Sequence, residues 1–120
     1  IANETRGSIV NITSSRAERA YSGDAVYGGL KAGLRRATES AALDLAPYGI
    51  RVNAVAPGAI EARGPNEWSR RLGERIPLGR IGKPEDIGKA VAWLVSGESP
   101  YATGISLRID GGLILPGMPE

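Results

Sequence analysis

Ser14, Tyr27 and Lys31 are the residues of this 120-residue chain whose types and spacing point most directly to chemistry. Tyr27 and Lys31 are four apart in a segment that reads as a helix, so their side chains emerge on one face, one turn from each other. Ser14 ends an apolar run that reads as a strand. A phenol, with its reference pKa of about 10, is a poor acid or base at neutral pH. An ammonium one helical turn away favours the phenolate. A serine hydroxyl facing the pair can hold a carbonyl or alcohol oxygen in line with the phenol. The three together suit proton transfer between an alcohol and a ketone.

The elements that must position them alternate in the βαβ manner. Ser8 to Thr13, with Ile9, Val10 and Ile12, reads as a strand buried on both faces. Ser15 to Gly23 is a polar loop, and Asp24 is placed to cap a helix that runs to about Ala46, where Pro47 and Gly49 stop it. Leu30, Leu34, Ala37, Ala41 and Leu45 recur at helical spacing and mark its expected core face, with Arg36, Glu39 and Leu43 on the far side. Ile50 to Ala56 reads as the next strand, in which Asn53 is expected to satisfy backbone. Pro57 to Gly82 is a long irregular stretch with a short helix expected over Asn66 to Arg75. Lys83 to Ser96 is a second long helix with Pro84 in its first turn, Glu85 and Asp86 at the positive end of its dipole, and Ile87, Val91 and Leu94 as its buried stripe. Ile105 to Ile109 closes the series as a strand. Ile1 to Thr5 reads as the end of a preceding helix.

Five blocks resemble the short-chain dehydrogenase/reductases: GSIVNITSS (7–15), YGGLK (27–31), RVNAVAPGAI (51–60), IPLGRIGKPEDIGKAVAWLVS (76–96) and YATGISLRIDGG (101–112). They stand in the order and spacing of that family and cover nearly the whole chain. Within it, PGAI and AWLVS with SPYATG look most like the bacterial glucose 1-dehydrogenases. The resemblance implies an α/β chain with a doubly wound, Rossmann-like parallel sheet. Family members are roughly twice as long because they build one complete sheet of this kind. Their first half carries the Gly-rich turn that receives the cofactor pyrophosphate. No such turn follows a strand here: Gly28-Gly29 lies within a helix and Gly111-Gly112 after a terminal strand. Residues 1–120 therefore read as the C-terminal half of a single Rossmann-like domain, completed by an N-terminal half in the same or another chain.

The resemblance also assigns roles. It implies NAD or NADP as cofactor, with the nicotinamide against Pro57, Gly58, Ala59 and Ile60. Ser14 would hold the substrate oxygen. Tyr27 would carry the proton, and Lys31 would support Tyr27 and bond the nicotinamide ribose. In many relatives a threonine stands five residues after the proline of this turn; here it is Ala62. Losing that hydroxyl removes one hydrogen bond, worth about 1 kcal/mol net. Members of the family are commonly tetramers, so a homo-oligomer is expected.

Composition narrows the field. The chain has no cysteine and no histidine, which excludes disulfide scaffolds, thiol catalysis, Cys/His metal sites and Ser-His or Cys-His nucleophiles. The lack of cysteine fits a cytoplasmic protein. No apolar stretch approaches the ~20 residues of a membrane span. A net charge of +2 with interspersed signs gives no nucleic-acid footprint. The expected partner is a small molecule, most simply a sugar, polyol or similar alcohol. Two alternatives stand beside it: a ketone on an acyl chain, as in ketoacyl reductases, or a non-catalytic homologue that binds a partner chain. Arg63, Arg70, Arg71, Arg75 and Arg80 also suggest a basic lid that selects anionic substrates.

Overall fold

Three parallel strands, β1 (Gly7–Ile12), β2 (Ile50–Pro57) and β3 (Ser106–Ile109), form one sheet in the order β1-β2-β3. Gly7 pairs with Ile50 at the start of the first ladder, and Ala54 with Ser106 at the start of the second. The connections are helical: α1 (Ala25–Leu45) joins β1 to β2, while α2 (Glu67–Arg75) and α3 (Pro84–Val95) lie between β2 and β3. This computed structural model describes residues 6–116, so the helix end expected over Ile1 to Thr5 lies outside the described residues.

Side-chain alternation along the strands fixes which helix covers which face. Asn11 donates from Nδ2 to Thr38 Oγ1 on α1 at 2.9 Å. Ser8, three residues earlier and so on the opposite face, donates from Oγ to the carbonyl of Leu94 on α3 at 3.0 Å. The two helices therefore cover opposite faces, as in a doubly wound sheet. Both faces of the central strand are closed: Val52 is 1% exposed, and Asn53, Ala54, Val55 and Ala56 are fully buried. Asn53 satisfies backbone, donating to the Ala102 carbonyl at 3.0 Å and accepting from the Ile105 N–H at 3.1 Å. Leu94, also fully buried, anchors α3. Truncating it to alanine would cost about 2–5 kcal/mol.

Three expectations need correction. β1 is not buried on both faces: Ile9 and Ile12 are each 43% exposed, because among the described residues no strand pairs with its outer edge. The core face of α1 is carried by Gly28, Thr38 and Ala42, whereas Leu30 is 71% exposed and Ala37 is also exposed. At ~100° per residue this is about a quarter turn from the apolar stripe. Small side chains win that face because α1 lies close on the strands and the turn beneath it. Finally, Asp24 precedes α1 as expected, but its carboxylate makes no capping bond. It pairs with the Arg16 guanidinium at 3.3 Å instead. Among the described residues no helix is long and apolar enough to cross a membrane.

Candidate active site

Parallel α/β sheets present their ligand sites beyond the carboxyl ends of the strands, and here three chain segments converge at that end. Ser14 follows β1, the Gly58–Ile60 turn follows β2, and Leu113 follows β3; all line one cavity of about 740 Å³ together with Tyr27 of α1. Trp68 and Leu72 of α2 close its outer side.

Ser14 is 8% exposed and extended, with φ −165°. Its Oγ accepts the N–H of Arg16 at 3.1 Å, which caps the short 3₁₀ turn over Ser15–Ala17. One lone pair is thus occupied, and the hydroxyl proton remains free to donate into the cavity. Tyr27, half exposed, enters the same cavity from the first turn of α1. The adjacent Gly28 makes this approach possible: a β-carbon there would lie 2.8 Å from Asp24 Oδ2 and 3.3 Å from the Arg16 carbonyl. Lys31 does not line the cavity. Its Nζ stands 5.7 Å from the Tyr27 ring centroid and donates to the Ile12 carbonyl at 3.0 Å. Two further ammonium protons remain for other acceptors.

The turn after β2 is built to present backbone. The Gly58 N–H is spent on the Ile109 carbonyl at 3.1 Å, and a β-carbon at Gly58 would lie 2.5 Å from Asp110 Cβ and 2.9 Å from its Cα. Ile60 forms a parallel bridge with Gly82, in which Gly82 donates to the Ala59 carbonyl and Glu61 donates to the Gly82 carbonyl, each at 2.8 Å. That pattern uses the groups on either side of Ile60 and turns its own N–H and C=O the other way. One donor and one acceptor on the same residue fit a primary carboxamide such as that of nicotinamide.

None of the five arginines expected to form a basic lid lines the cavity, and three of them, Arg70, Arg71 and Arg80, are engaged by carboxylates. On α2, Glu67, Arg70, Arg71 and Glu74 share a stripe of i,i+3 and i,i+4 pairs: Arg70 meets Glu67 at 2.7 Å and Glu74 at 2.5 Å, and Arg71 meets Glu67 at 3.0 Å. Arg70 first, and then Arg71, hold the exposed Glu67 carboxyl below its usual range. Arg80 is engaged by Asp86 at 2.8 Å. The face of α2 that reaches the cavity is apolar, through Trp68 and Leu72 at i,i+4. That spacing, read against the charged stripe, could have been found in the sequence. Leu113 could not, because it sits in an aperiodic tail after Gly111-Gly112.

A parallel α/β sheet with helices on both faces, and with Ser14 and Tyr27 lining one cavity beyond the carboxyl ends of its strands, is a Rossmann-like arrangement. Over residues 1–114 the chain matches the family model described as enoyl-(acyl carrier protein) reductase, and it belongs to the short-chain dehydrogenase/reductase family. It is 38% identical over 118 residues to glucose 1-dehydrogenase 2 of Bacillus subtilis, covering 94% of this chain and 46% of that protein. It is 42% identical over 116 residues to the 3-oxoacyl-[acyl-carrier-protein] reductase FabG of Thermotoga maritima, covering 93% of this chain and 47% of that protein. A short-chain dehydrogenase from Leptospira borgpetersenii, solved with bound NAD+, superposes with a TM-score of 0.83 at 36% identity, covering 93% of this chain and 46% of that one. The chain thus spans about half the length of the relatives it matches.

Proposed function

We propose that this chain supplies the proton-transfer and nicotinamide-facing half of an NAD- or NADP-dependent oxidoreductase that interconverts a secondary alcohol and a ketone. The observation that carries the reading is the meeting of Ser14, Tyr27 and the Gly58–Ile60 turn around one cavity at the carboxyl ends of the strands. The nicotinamide, when bound, supplies the hydride acceptor or donor. Pro57, Gly58, Ala59 and Ile60 form the wall for its carboxamide side. Ser14 donates its hydroxyl proton to the substrate oxygen and so stabilises the charge that develops there. Tyr27 gives or takes the proton at that same oxygen. Lys31, held by the Ile12 carbonyl and 5.7 Å from the Tyr27 ring centroid, would bond the nicotinamide ribose with its remaining ammonium protons.

The domain is completed by a pyrophosphate-binding half. The open outer edge of β1 and the half-length match to the relatives support this. The working form is a cytoplasmic homotetramer. Exposed apolar side chains on α1, among them Val26, Leu30 and Leu43, support an oligomer.

The substrate is a small alcohol, most simply a sugar or polyol. A second reading, a carbonyl carried on an acyl chain, is favoured by one specific observation: Trp68, Leu72 and Leu113 give the cavity an apolar flank. Titrating the completed protein with NADH and NADPH, then offering matched polyol and acyl-linked alcohols, tests both. Nicotinamide fluorescence that neither shifts nor quenches would overturn the cofactor assignment. Relative kcat/KM separates the two substrate classes.

A further inference from the structure

The loop between Ser14 and α1 ties several elements together, and one of its residues reaches the far end of the described chain. Arg19 Nη1 donates to the carbonyls of both Ile114 and Pro116, each at 3.2 Å. Its guanidinium carbon also lies 5.8 Å from the ring centroid of Tyr21, a residue that lines the Ser14/Tyr27 cavity. Between β3 and those two carbonyls the chain makes a turn that points Leu113 into the same cavity.

The turn is built from both of its ends. The Asp110 carboxylate accepts the N–H of Gly112 at 2.9 Å and that of Ile114 at 3.3 Å, while the Leu113 N–H donates to the Asp110 carbonyl at 3.1 Å. Gly111 and Gly112 take positive φ, +63° and +90°, which other residues adopt only under strain. Their flank is filled: a β-carbon on Gly111 would lie 2.9 Å from Ile76 Cγ2, and Leu78 donates its N–H to the Gly111 carbonyl at 3.1 Å. Up to Ile114, then, the turn is held by its own backbone and by the segment after α2. From the Ile114 carbonyl onward the contacts to the rest of the protein include the two Arg19 bonds.

We propose that Leu113 is a specificity-determining residue of the cavity, contacting the apolar substituent of the substrate opposite Trp68, and that Arg19 is the positioning residue that latches it in place. This rests on the proposed alcohol–ketone activity for its substrate arm and on the structure alone for its latch arm. An arginine suits the task because Nη1 carries two protons and can serve both carbonyls at once. The ligand class that follows belongs to the second substrate reading: a secondary alcohol or ketone with an alkyl arm rather than a polyol.

The test uses the completed, cofactor-loaded protein and a series of 2-alkanols from 2-propanol to 2-octanol. One methylene in an apolar pocket is worth about 10- to 200-fold in discrimination at most. Leu113→Ala should therefore flatten the chain-length dependence of kcat/KM by about tenfold across the series, mainly through KM. Arg19→Met should act in the same direction, and Arg19→Lys should restore part of the effect. The double variant should be no worse than Leu113→Ala alone, because both remove one contact. Leu113→Val guards against a folding defect in the alanine variant. Amide hydrogen exchange of Leu113 and Leu115, followed without substrate or cofactor, should accelerate about tenfold in Arg19→Met. Unchanged exchange, or fully additive effects in the double variant, would overturn the proposal. No turnover of any 2-alkanol by the unmodified protein would overturn the alkyl-arm assignment; failure of the alcohol–ketone reading is seen separately, as no turnover of polyols or of 2-alkanols, and leaves the exchange experiment to decide the latch.

Discussion

The Lys31 ammonium donates to the main-chain carbonyl of Ile12 at 3.0 Å, so the helix that carries Tyr27 is pinned to the strand that leads into Ser14. The two groups proposed to meet the substrate oxygen are thereby placed on elements that cannot drift apart without breaking a charge-assisted bond. Such a bond is worth more than its neutral counterpart because the donor is ionised.

Replacing Tyr27 by phenylalanine keeps the ring beside Lys31 and removes only the ionisable oxygen. Turnover in the active assembly should fall by about 10²- to 10⁴-fold, the usual value of general acid–base help. Cofactor affinity, read by nicotinamide fluorescence, should stay nearly intact. A loss of turnover under threefold would end the assignment of Tyr27 as proton carrier.

Gly58→Ala should destabilise the protein. The added β-carbon would meet Asp110 Cβ at 2.5 Å and Asp110 Cα at 2.9 Å, and backbone cannot yield as a flexible side chain can. Overpacking of this kind costs about 1–3 kcal/mol, read as a lower urea midpoint with an unchanged slope. Gly88, within α3 and with open space around it, is the contrasting site. Alanine there should stabilise the protein by about 0.5–1 kcal/mol and raise the midpoint accordingly. Equal midpoints for the two variants would contradict the close approach at Gly58.

Asp86 joins the segment after α2 to the start of α3, taking Arg80 at 2.8 Å and the Lys83 N–H at 2.8 Å. Arg80 first, then the Lys83 N–H, lower its carboxyl from 3.8 to about 2. A depressed carboxylate contributes stability in full above its ordinary pKa and loses it as pH falls through the lower value. The clasp should therefore hold down to about pH 4 and be lost toward pH 2. Asp86→Asn should lower the urea midpoint at pH 6 and make little difference near pH 2. A carboxyl carbon titration for Asp86 centred near its ordinary 3.8 would refute this.

The complete protein should sediment as a homotetramer. Leu43 is 77% and Tyr101 fully exposed, one on α1 and the other just before β3. Leu43 on α1 suits a helix-to-helix isologous contact, and β3, an outer strand of the described sheet, suits one from strand edge to strand edge. A monomer at micromolar concentration would rule the assembly out.

Much of this was legible in the chain because local rules and tertiary packing agree. Pro84 opens α3, and its stripe turns Leu94 inward. Asn66 and Ser69 form the reciprocal cap that starts α2. Other features depended on partners distant in sequence. Apolar periodicity misplaced the buried face of α1, where contact distance selected Gly28, Thr38 and Ala42 over leucine. Asp24 was drawn from capping by Arg16. Arg70 and Arg71 of α2 were engaged by carboxylates one turn away, a pairing visible in the sequence once Glu67 and Glu74 are placed on the helix. Leu113 carries no local signature, since its turn is held partly by residues distant in sequence, Leu78 and Arg19.

The order in which this sheet can assemble follows from its ladders. Gly7 pairs with Ile50 and Ala54 with Ser106, so each strand waits for a partner that lies a whole helical connection downstream. Among the described residues no hairpin is available to nucleate the sheet, and loop-closure entropy must be met before any ladder bond forms. Of the elements described, α1 needs only its own neighbours in sequence, whereas β3 needs β2 already in place to pair with. During synthesis β2 remains without β3 beside it until the final stretch of the described chain has emerged, and the cavity acquires its Leu113 wall last of all.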